Sequence, residues 1–366
     1  MQVYNQTRFV HEKTMGLDKA GREYLSFVFK GTWDFPEKAG EPAQLAEIQT
    51  PLIMADEYSG EPAYSAPVRE TDFAFRKPHP EVIVHGAAYA PQGKQADRVR
   101  VGVRVDDWSK QFDVVGYREW QVIGPVVRAT KALPFRRVPI GYDHAFGGQD
   151  RFDPEDETPK AYRDNPVGCG FASPTYQDQL TGVALPLTEA IGEEVTSPYG
   201  SYKPMALGPI GRNWPDRAKY AGTYDQNYVD NIFPFLPPDF DDRYFQSAPL
   251  DQWLRGLREG APVLLVGLTP AGREQFALPK TKTPVTLFRN GKICLEQDIT
   301  ADTLLIDTEA RQFSLVWRLE ARIQKAFIEF NELWLGPPTE PMVRAREEGR
   351  RYIRAVAEIG NESEDA

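Results

Sequence analysis

The stretch from Ala132 to Trp253 is the feature that most limits how this chain folds. Proline and glycine interrupt it too often for long helices or strands, yet residues 135–253 carry 19 of the 43 aromatic side chains. A disordered segment is poor in aromatic residues, because it has no apolar surface to bury against the entropy cost of ordering. The sequence therefore predicts irregular backbone that is nevertheless folded.

Composition limits the classes of partner. A chain of 366 residues, 41% of them hydrophobic, is long enough for a large core and for two or three domains. The formal net charge of −10 disfavours a broad surface for nucleic acid or anionic lipid. No basic region leads into an apolar run at the start, and no stretch approaches the roughly 20 apolar residues that span a bilayer. We expect a cytoplasmic protein with neither a nucleic-acid nor a membrane partner.

The regular patterns outside the centre are β. Val99, Val101, Val103 and Val105 alternate with more polar positions, as in a half-buried strand. Segment 48–58 also has the composition of a strand, and Asn290-Gly291 suits the type I′ turn of a hairpin. The predicted fold is mainly β, with antiparallel sandwich or barrel-like sheets on either side of the irregular centre.

Four regions follow from these patterns. They are an N-terminal β-rich region (1–130), the irregular aromatic-rich region (131–254), a C-terminal β-rich region (255–336), and a C-terminal helix with a frayed tail (337–366). Helical spacing of apolar residues places that helix over Pro341 to Ile359, with Gly360 as its C-terminal cap.

Recognisable catalytic and metal-binding motifs are missing from the sequence. Its two cysteines, Cys169 and Cys294, are too few for a disulfide framework. The four histidines are scattered without ligand spacing, and there is no phosphate loop, nucleophile elbow or dinucleotide fingerprint. We predict no metal, no cofactor and no enzymatic activity.

The carboxylates of 222–253 leave one alternative open. Asp239 and Asp241 stand beside proline and aromatic residues, where aspartate commonly caps a turn or pairs with a neighbour such as Arg243. With Asp225 and Asp251 they are also candidates for the paired carboxylates of a glycosidase, flanked by aromatic rings for stacking on sugars. A glycan-acting hydrolase or a lectin is therefore the alternative function.

Six short sequence motifs, here called words, follow one another along the chain in an order that resembles a known family. They are PFRRVPIGYDHAFGG (134–148), NPVGCG (165–170), LGPIGRNWPDR (207–217), GTYD (222–225), LPPDFDDRYFQSAPLDQ (236–252) and DTLLIDTEARQFSLVWR (302–318). Together they are similar to the bacterial family called domain of unknown function 2169, over most of residues 1–320. Tyr228 departs from the family, which often has tryptophan there, and the extension after about residue 336 lies outside the pattern.

The resemblance implies a role in type VI secretion. Proteins of that family are regarded as adaptors or chaperones that help to load a toxic effector onto the VgrG spike or its PAAR tip. The expected partners are therefore an effector protein and the VgrG/PAAR spike proteins. Aromatic rings that are not needed for the core, together with nearby arginine and aspartate side chains, would line the groove for the effector. The candidate partner-binding residues are Phe146, Arg212, Trp214, Tyr224, Tyr228, Asp239, Asp241, Arg243, Tyr244 and Trp253.

A further possibility is that these words are wholly structural. In that case the partner surface lies in the first 130 residues. The sequence leaves this open, together with the effector's identity and activity, the stoichiometry and the role of the C-terminal helix.

Overall fold

The computed structural model describes residues 1–62, 64–350 and 352, and its architecture confirms the prediction of a mainly β fold. The strands are β1 (Gln2–Asn5), β2 (Val10–Leu17), β3 (Glu23–Asp34), β4 (Gln44–Leu45), β5 (Glu57–Tyr58), β6 (Pro67–Arg69), β7 (Glu81–His85), β8 (Ala87–Tyr89), β9 (Arg98–Val105), β10 (Trp108–Val115), β11 (Trp120–Ile123), β12 (Val126–Ala129), β13 (Arg137–Pro139), β14 (Phe146–Gly147), β15 (Cys169–Gly170), β16 (Thr188–Glu189), β17 (Pro262–Val266), β18 (Arg273–Ala277), β19 (Lys282–Arg289), β20 (Lys292–Thr300), β21 (Thr303–Asp307), β22 (Gln312–Arg322) and β23 (Phe330–Leu335). The α-helices are α1 (Pro215–Ala218), α2 (Gln226–Asn231) and α3 (Glu340–Glu347). Short 3₁₀ turns occupy Pro91–Gly93, Tyr142–His144, Pro174–Gln179, Asp242–Phe245, Leu250–Gln252 and Phe327–Glu329. Among the described helices, none has the length and apolar character needed to cross a membrane.

The chain divides into two compact units, neither of them continuous in sequence. The smaller unit combines Met1–Arg8, Lys282–Ile299 and the described residues from Ile323 onward. The larger unit consists of Phe9–Thr281 and Thr300–Arg322.

A six-stranded sheet is the main layer of the larger unit. Its strand order is β2-β3-β22-β21-β7, and β4 pairs with the far end of β3. Pairing is antiparallel except between β7 and β21, which run parallel. The central strands bury bulky side chains such as Phe27, Phe29 and Trp317, so this sheet carries much of the core.

A five-stranded sheet of order β16-β10-β9-β17-β18 is the second layer of the larger unit. Strand β9 contains the alternating valines, all four of which are buried, while Arg100 and Arg104 on the other face are exposed. The prediction of a half-buried strand here is confirmed.

The smaller unit contains a four-stranded sheet of order β1-β23-β19-β20. Strands β19 and β20 form the predicted hairpin, and Asn290 (φ 50°) with Gly291 (φ 75°) supplies the two positive φ angles of its turn. Met342 of α3 packs with Tyr4 and Trp334 in the core of this unit.

The C-terminal helix is shorter than the periodicity predicts. Helix α3 ends at Glu347, and Gly349 follows in the left-handed region at φ 64°. Its N–H donates to the carbonyl of Arg346, so Gly349 rather than Gly360 ends this helix. Residue 351, residues 353–359 of the predicted helix and Gly360 lie outside the described residues.

The strand predicted over 48–58 is wrong for most of its length, because only β5 forms there. Pro51 has no N–H for a ladder. The Gln49 side chain takes the place of a strand: its Oε1 accepts from the Thr32 N–H at 2.8 Å and its Nε2 donates to the Thr32 carbonyl at 3.1 Å.

The irregular centre is folded, as predicted. Its elements are short, and two apolar clusters hold it. One cluster contains Ala66, Tyr142, Ala145, Ala206, Ile210 and Trp214, and the other contains Trp120, Phe146, Ala172, Leu180, Leu185 and Val195. Asn165 is fully buried at a junction of this backbone, where its Nδ2 donates to the carbonyls of Tyr142 at 2.9 Å and Phe146 at 3.1 Å.

Replacing Asn165 tests how the irregular centre is held. Asn165→Ala removes the side-chain donor of both carbonyls, although the Tyr142 carbonyl still accepts from the N–H of Ala145. A buried carbonyl left unsatisfied costs about 1–3 kcal/mol. We expect the free energy of unfolding to fall by about 2 kcal/mol in urea titrations. The exposed Asn213→Ala is the control, with an expected change below about 0.5 kcal/mol. A loss of under about 1 kcal/mol for Asn165→Ala would show that this side chain does not hold the centre.

Candidate functional site

A cavity of about 640 Å³ lies between the six-stranded sheet and residues 50–57, here called the strap. Strands β3, β7, β21 and β22 contribute to its wall, together with segment 68–72. Its lining combines apolar and charged side chains, among them Leu52, Ile53, Ile83, Leu305, Phe313, Lys30, Asp56, Glu70, Asp72 and Arg318. Ligand pockets commonly have this volume and this character.

A buried ion pair ties the strap to the sheet. Lys30 of β3 and Asp72 are both buried, with Nζ and Oδ2 3.1 Å apart. Lys30 Nζ also donates to the carbonyl of Pro51, and Asp72 Oδ2 accepts from the N–H of Ile53. Because both charges are satisfied by this chain, they hold the strap in place and are not free to bind a ligand.

The arginines of LGPIGRNWPDR form the second support of the strap. Arg217 is buried and donates through both terminal nitrogens to Glu70, each at 2.6 Å. Arg212 bridges Asp56 of the strap, at 3.0 Å, and Glu70, at 2.9 Å. The structure therefore pairs the predicted site residue Arg212 with two carboxylates of its own chain, Asp56 and Glu70, which line the cavity.

Phe146 and Trp214 are buried in the two clusters of the irregular centre. Phe146 makes edge contacts with Tyr162 and Tyr202, with ring centroids 5.0 and 4.9 Å apart. Trp214 makes an edge contact with Tyr142 at 5.3 Å. Neither ring presents appreciable surface to a partner.

Asp239, Asp241 and Arg243 support turns. Asp239 accepts from the N–H and the hydroxyl of Thr223, and these bonds hold the pKa of its carboxyl below the usual value. Asp241 pairs with Arg243 at 2.6 Å, and this bond likewise lowers the pKa of Asp241. The Arg243 guanidinium lies 4.3 Å from the ring centroid of Tyr220.

Tyr244 and Trp253 are half-buried. The Tyr244 ring contacts Phe240 edge-on at 5.8 Å. The Trp253 indole stacks on His79 at 4.9 Å and donates its N–H to the carbonyl of Ala248 at 2.9 Å.

The two other carboxylates of the glycosidase hypothesis have separate roles. Asp225 caps α2 by accepting from the N–H of Tyr228 at 2.9 Å. Asp251 lies between Lys110, at 3.0 Å, and Lys203, at 2.8 Å. Within the described residues, no group of three or more His, Cys, Asp or Glu side chains is arranged to hold a metal ion.

Tyr224 and Tyr228 belong to an exposed apolar surface, here called the aromatic patch, which consists of Tyr224, Tyr228, Val229, Phe233 and Phe235. Tyr224 contacts Tyr228 edge-on at 4.6 Å, and Tyr228 contacts Phe233 at 6.4 Å. Phe233 is 69% exposed, Val229 59% and Tyr224 54%. Of the predicted partner-binding residues, these two tyrosines lie where several apolar side chains face solvent together.

A groove of about 550 Å³ lies beside the aromatic patch. Leu17, Phe75, Leu236 and Phe240 are apolar members of its lining, and the turn between β2 and β3 forms one rim. Charged side chains make up half of the lining, namely Asp18, Lys19, Arg22, Arg76, Asp241, Asp242 and Arg243. The Phe235 ring packs against Gly21 of that turn: a Cβ at this position would come within 2.9 Å of the ring.

Sequence reasoning missed the strap, the buried Lys30–Asp72 pair and three members of the patch. Val229, Phe233 and Phe235 follow GTYD closely, and an apolar run beside a polar helix is the signal that would have drawn attention to them. No local pattern marks the Lys30–Asp72 pair, because its two residues are 42 positions apart.

A family model described as "Uncharacterized protein conserved in bacteria (DUF2169)" matches residues 20–318. This range is well over half of the chain and contains all six words, so the chain belongs to this family. Neither a curated protein nor a solved structure matches the chain.

Removing the charge of Glu70 tests the arginine support. Glu70→Gln keeps the shape but leaves the buried Arg217 without a counter-charge, which commonly costs 3–5 kcal/mol. We expect a loss of about 3 kcal/mol in the free energy of unfolding, measured in urea. The exposed pair of Asp216 and Lys219 supplies the control: Asp216→Asn should cost less than about 1 kcal/mol. Equal losses for the two variants would contradict the assigned role.

The pH dependence of stability tests the environment of Lys110. Burial lowers the pKa of Lys110 to about 8, although Asp251 opposes the shift. The unfolded chain releases this proton only near pH 10.5, so the unfolded state binds more protons between these values and stability rises with pH. From pH 7.5 to 9.5 we expect the free energy of unfolding to rise by about 2 kcal/mol relative to Lys110→Met. Parallel urea titrations of the two proteins measure this difference, and identical pH profiles would contradict it.

Proposed function

We propose that this chain is a non-catalytic adaptor of type VI secretion. It binds an effector protein in the cytoplasm and helps to load it onto the VgrG spike or its PAAR tip. The proposal rests on the resemblance carried by the six words, and membership of the DUF2169 family is consistent with it. The structural observation that carries it is the aromatic patch.

The aromatic patch has the character of a protein-binding surface. Soluble proteins rarely leave a contiguous apolar surface in water unless it binds something. One aromatic side chain buries about 150–250 Å² when it is covered. At about 25 cal/mol per Å², covering half of such a ring contributes about 2–3 kcal/mol to binding. Several such rings supply enough free energy to retain an effector.

The polar groups of the centre support a non-catalytic role. Asp239 and Asp241 hold turns, Asp225 caps a helix and Asp251 neutralises two lysines. A glycan-acting hydrolase or a lectin using 222–253 remains the alternative. It predicts that a sugar raises the melting temperature by binding selectively to the folded state. The adaptor predicts such a shift with a protein partner instead.

Co-expression with the reading frame adjacent to this gene tests the adaptor function. We expect the two proteins to elute together in size exclusion with light scattering, and the partner to be degraded or insoluble when expressed alone. Two soluble proteins that elute separately would refute the proposal.

Two matched double variants test the aromatic patch. Val229→Ser with Phe233→Ser removes exposed patch side chains and should weaken the complex at least about 30-fold, as loss of a binding hot spot does. Ile123→Ser with Val126→Ser removes an exposed apolar pair of the β11–β12 hairpin and should leave the affinity unchanged. Equal affinities for both variants would show that the patch is not the contact surface.

A further inference from the structure

The cavity under the strap has an apolar floor on the six-stranded sheet. Ile83 of β7 and Leu305 of β21 are register partners on neighbouring strands, and both line the cavity. Leu52 and Ile53 of the strap line it as well. Ligand pockets of about 300–1,000 Å³ commonly combine apolar side chains with a few placed polar groups. At about 640 Å³, this cavity has room for the apolar body of a small organic molecule.

Most of the charge around this floor is cancelled within the chain. Three buried cations of the lining each have a carboxylate of their own, in the pairs Lys30–Asp72, Lys77–Glu81 and Arg318–Asp302. Two carboxylates of the lining, Asp56 and Glu70, are held by the arginines of LGPIGRNWPDR. A ligand cannot pair with any of these charges without breaking a contact of the chain itself.

One charged group of the lining is not balanced. Arg69 is the remaining cation of the lining, and it faces two carboxylates, Glu57 at 3.4 Å and Asp307 at 3.3 Å between nitrogen and oxygen. Both distances exceed the roughly 2.7–2.9 Å of a strong charged hydrogen bond. All three side chains are partly exposed, so they mark the open end of the cavity. This end therefore carries one negative charge more than its arginine neutralises.

His85 adds an unused hydrogen-bonding group at the same end. It is the register partner of Asp307 and lies half-buried in the lining. Among the described residues, none forms a hydrogen bond or an ion pair with its ring. A neutral imidazole has one nitrogen that accepts a hydrogen bond. A cationic donor at this end thus meets carboxylate and imidazole acceptors together, whereas an anion meets surplus negative charge.

We propose that this cavity binds a small organic monocation with an apolar body. The apolar body lies on Ile83 and Leu305, and the cationic group approaches Asp307 and Glu57 at the open end. The volume sets the size of the ligand, the floor sets its apolar part, and the surplus carboxylate sets its charge. No residue of the aromatic patch lines this cavity, so the inference does not depend on the proposed adaptor function.

Three eight-carbon probes test which charge the cavity selects. n-Octylamine, 1-octanol and octanoate share one apolar chain and differ in charge. At pH 8 and low salt, we expect calorimetric titration to show octylamine bound about threefold more tightly than octanol, as one partly exposed ion pair allows. Octanoate should bind most weakly of the three. Equal affinities for octylamine and octanoate, or no binding of any probe, overturn the proposal.

A charge variant of the strap tests the carboxylate at the open end. Glu57→Gln removes the surplus charge, so it should abolish the preference for octylamine over octanol and leave the affinity for octanol unchanged. Glu259→Gln is the matched control, because Glu259 is exposed and does not line the cavity. A preference for octylamine that survives Glu57→Gln contradicts the proposal.

Filling the floor tests where the probe lies. Leu305→Trp should weaken octylamine binding at least about tenfold, because the larger side chain takes the space in which the apolar chain is buried. Nuclear Overhauser effects between octylamine and the methyl groups of Ile83 and Leu305 in the wild-type protein are the second measurement. Their absence overturns the site even if Leu305→Trp fails to fold. A protein that binds no probe, but loses the product of the adjacent reading frame on Leu305→Trp, holds a partner segment here, and that result also overturns the proposal.

Discussion

The carboxylate of Glu81 joins the irregular centre to the six-stranded sheet, and the arrangement of both depends on it. It lies fully buried at the start of β7 and accepts from Lys77, from the side chains of Gln246 and Ser247, and from the N–H of Ala248. Burial alone would raise its pKa, but the charge of Lys77 and these hydrogen bonds lower the pKa below the usual value. Removing one partner from such a buried carboxylate costs folding free energy, because the lost donor leaves part of the charge unsatisfied.

Polar side chains in and near the family words also hold the centre by satisfying buried polar groups. Arg217 holds Glu70, Asn165 holds two carbonyls, and Gln252 donates to the carbonyls of Val82 and Leu207. These side chains replace the backbone ladders that proline and glycine prevent. Their polar groups are consequently directed inward. The covered edge at β7 is one result of this arrangement, because the centre supplies the bridge from Trp253 and the carbonyl of Leu207 there.

Local chemistry explains which predictions from the sequence hold. The alternating valines specify β9, since a strand places successive side chains on opposite faces. Asn290-Gly291 specifies its hairpin, because these residues accept positive φ angles at little cost. The strand predicted over 48–58 fails because the Gln49 side chain takes up the bonds of Thr32, and the helical pattern after Pro341 is cut at Gly349. In each failure a single residue, Gln49 in the first and Gly349 in the second, overrides the structure that the longer pattern predicts.

The sequence by itself determined the mainly β class, the folded irregular centre and the family, because these depend on local periodicity, composition and the order of short words. Only the tertiary structure decided which candidate residues face solvent. Trp214 is buried and Tyr224 is exposed, although both stand in aromatic words of the same region. Likewise, only strand order reveals that β2 lies at one edge of the six-stranded sheet. Burial and edge position arise from contacts between residues far apart in sequence, and no local pattern records them.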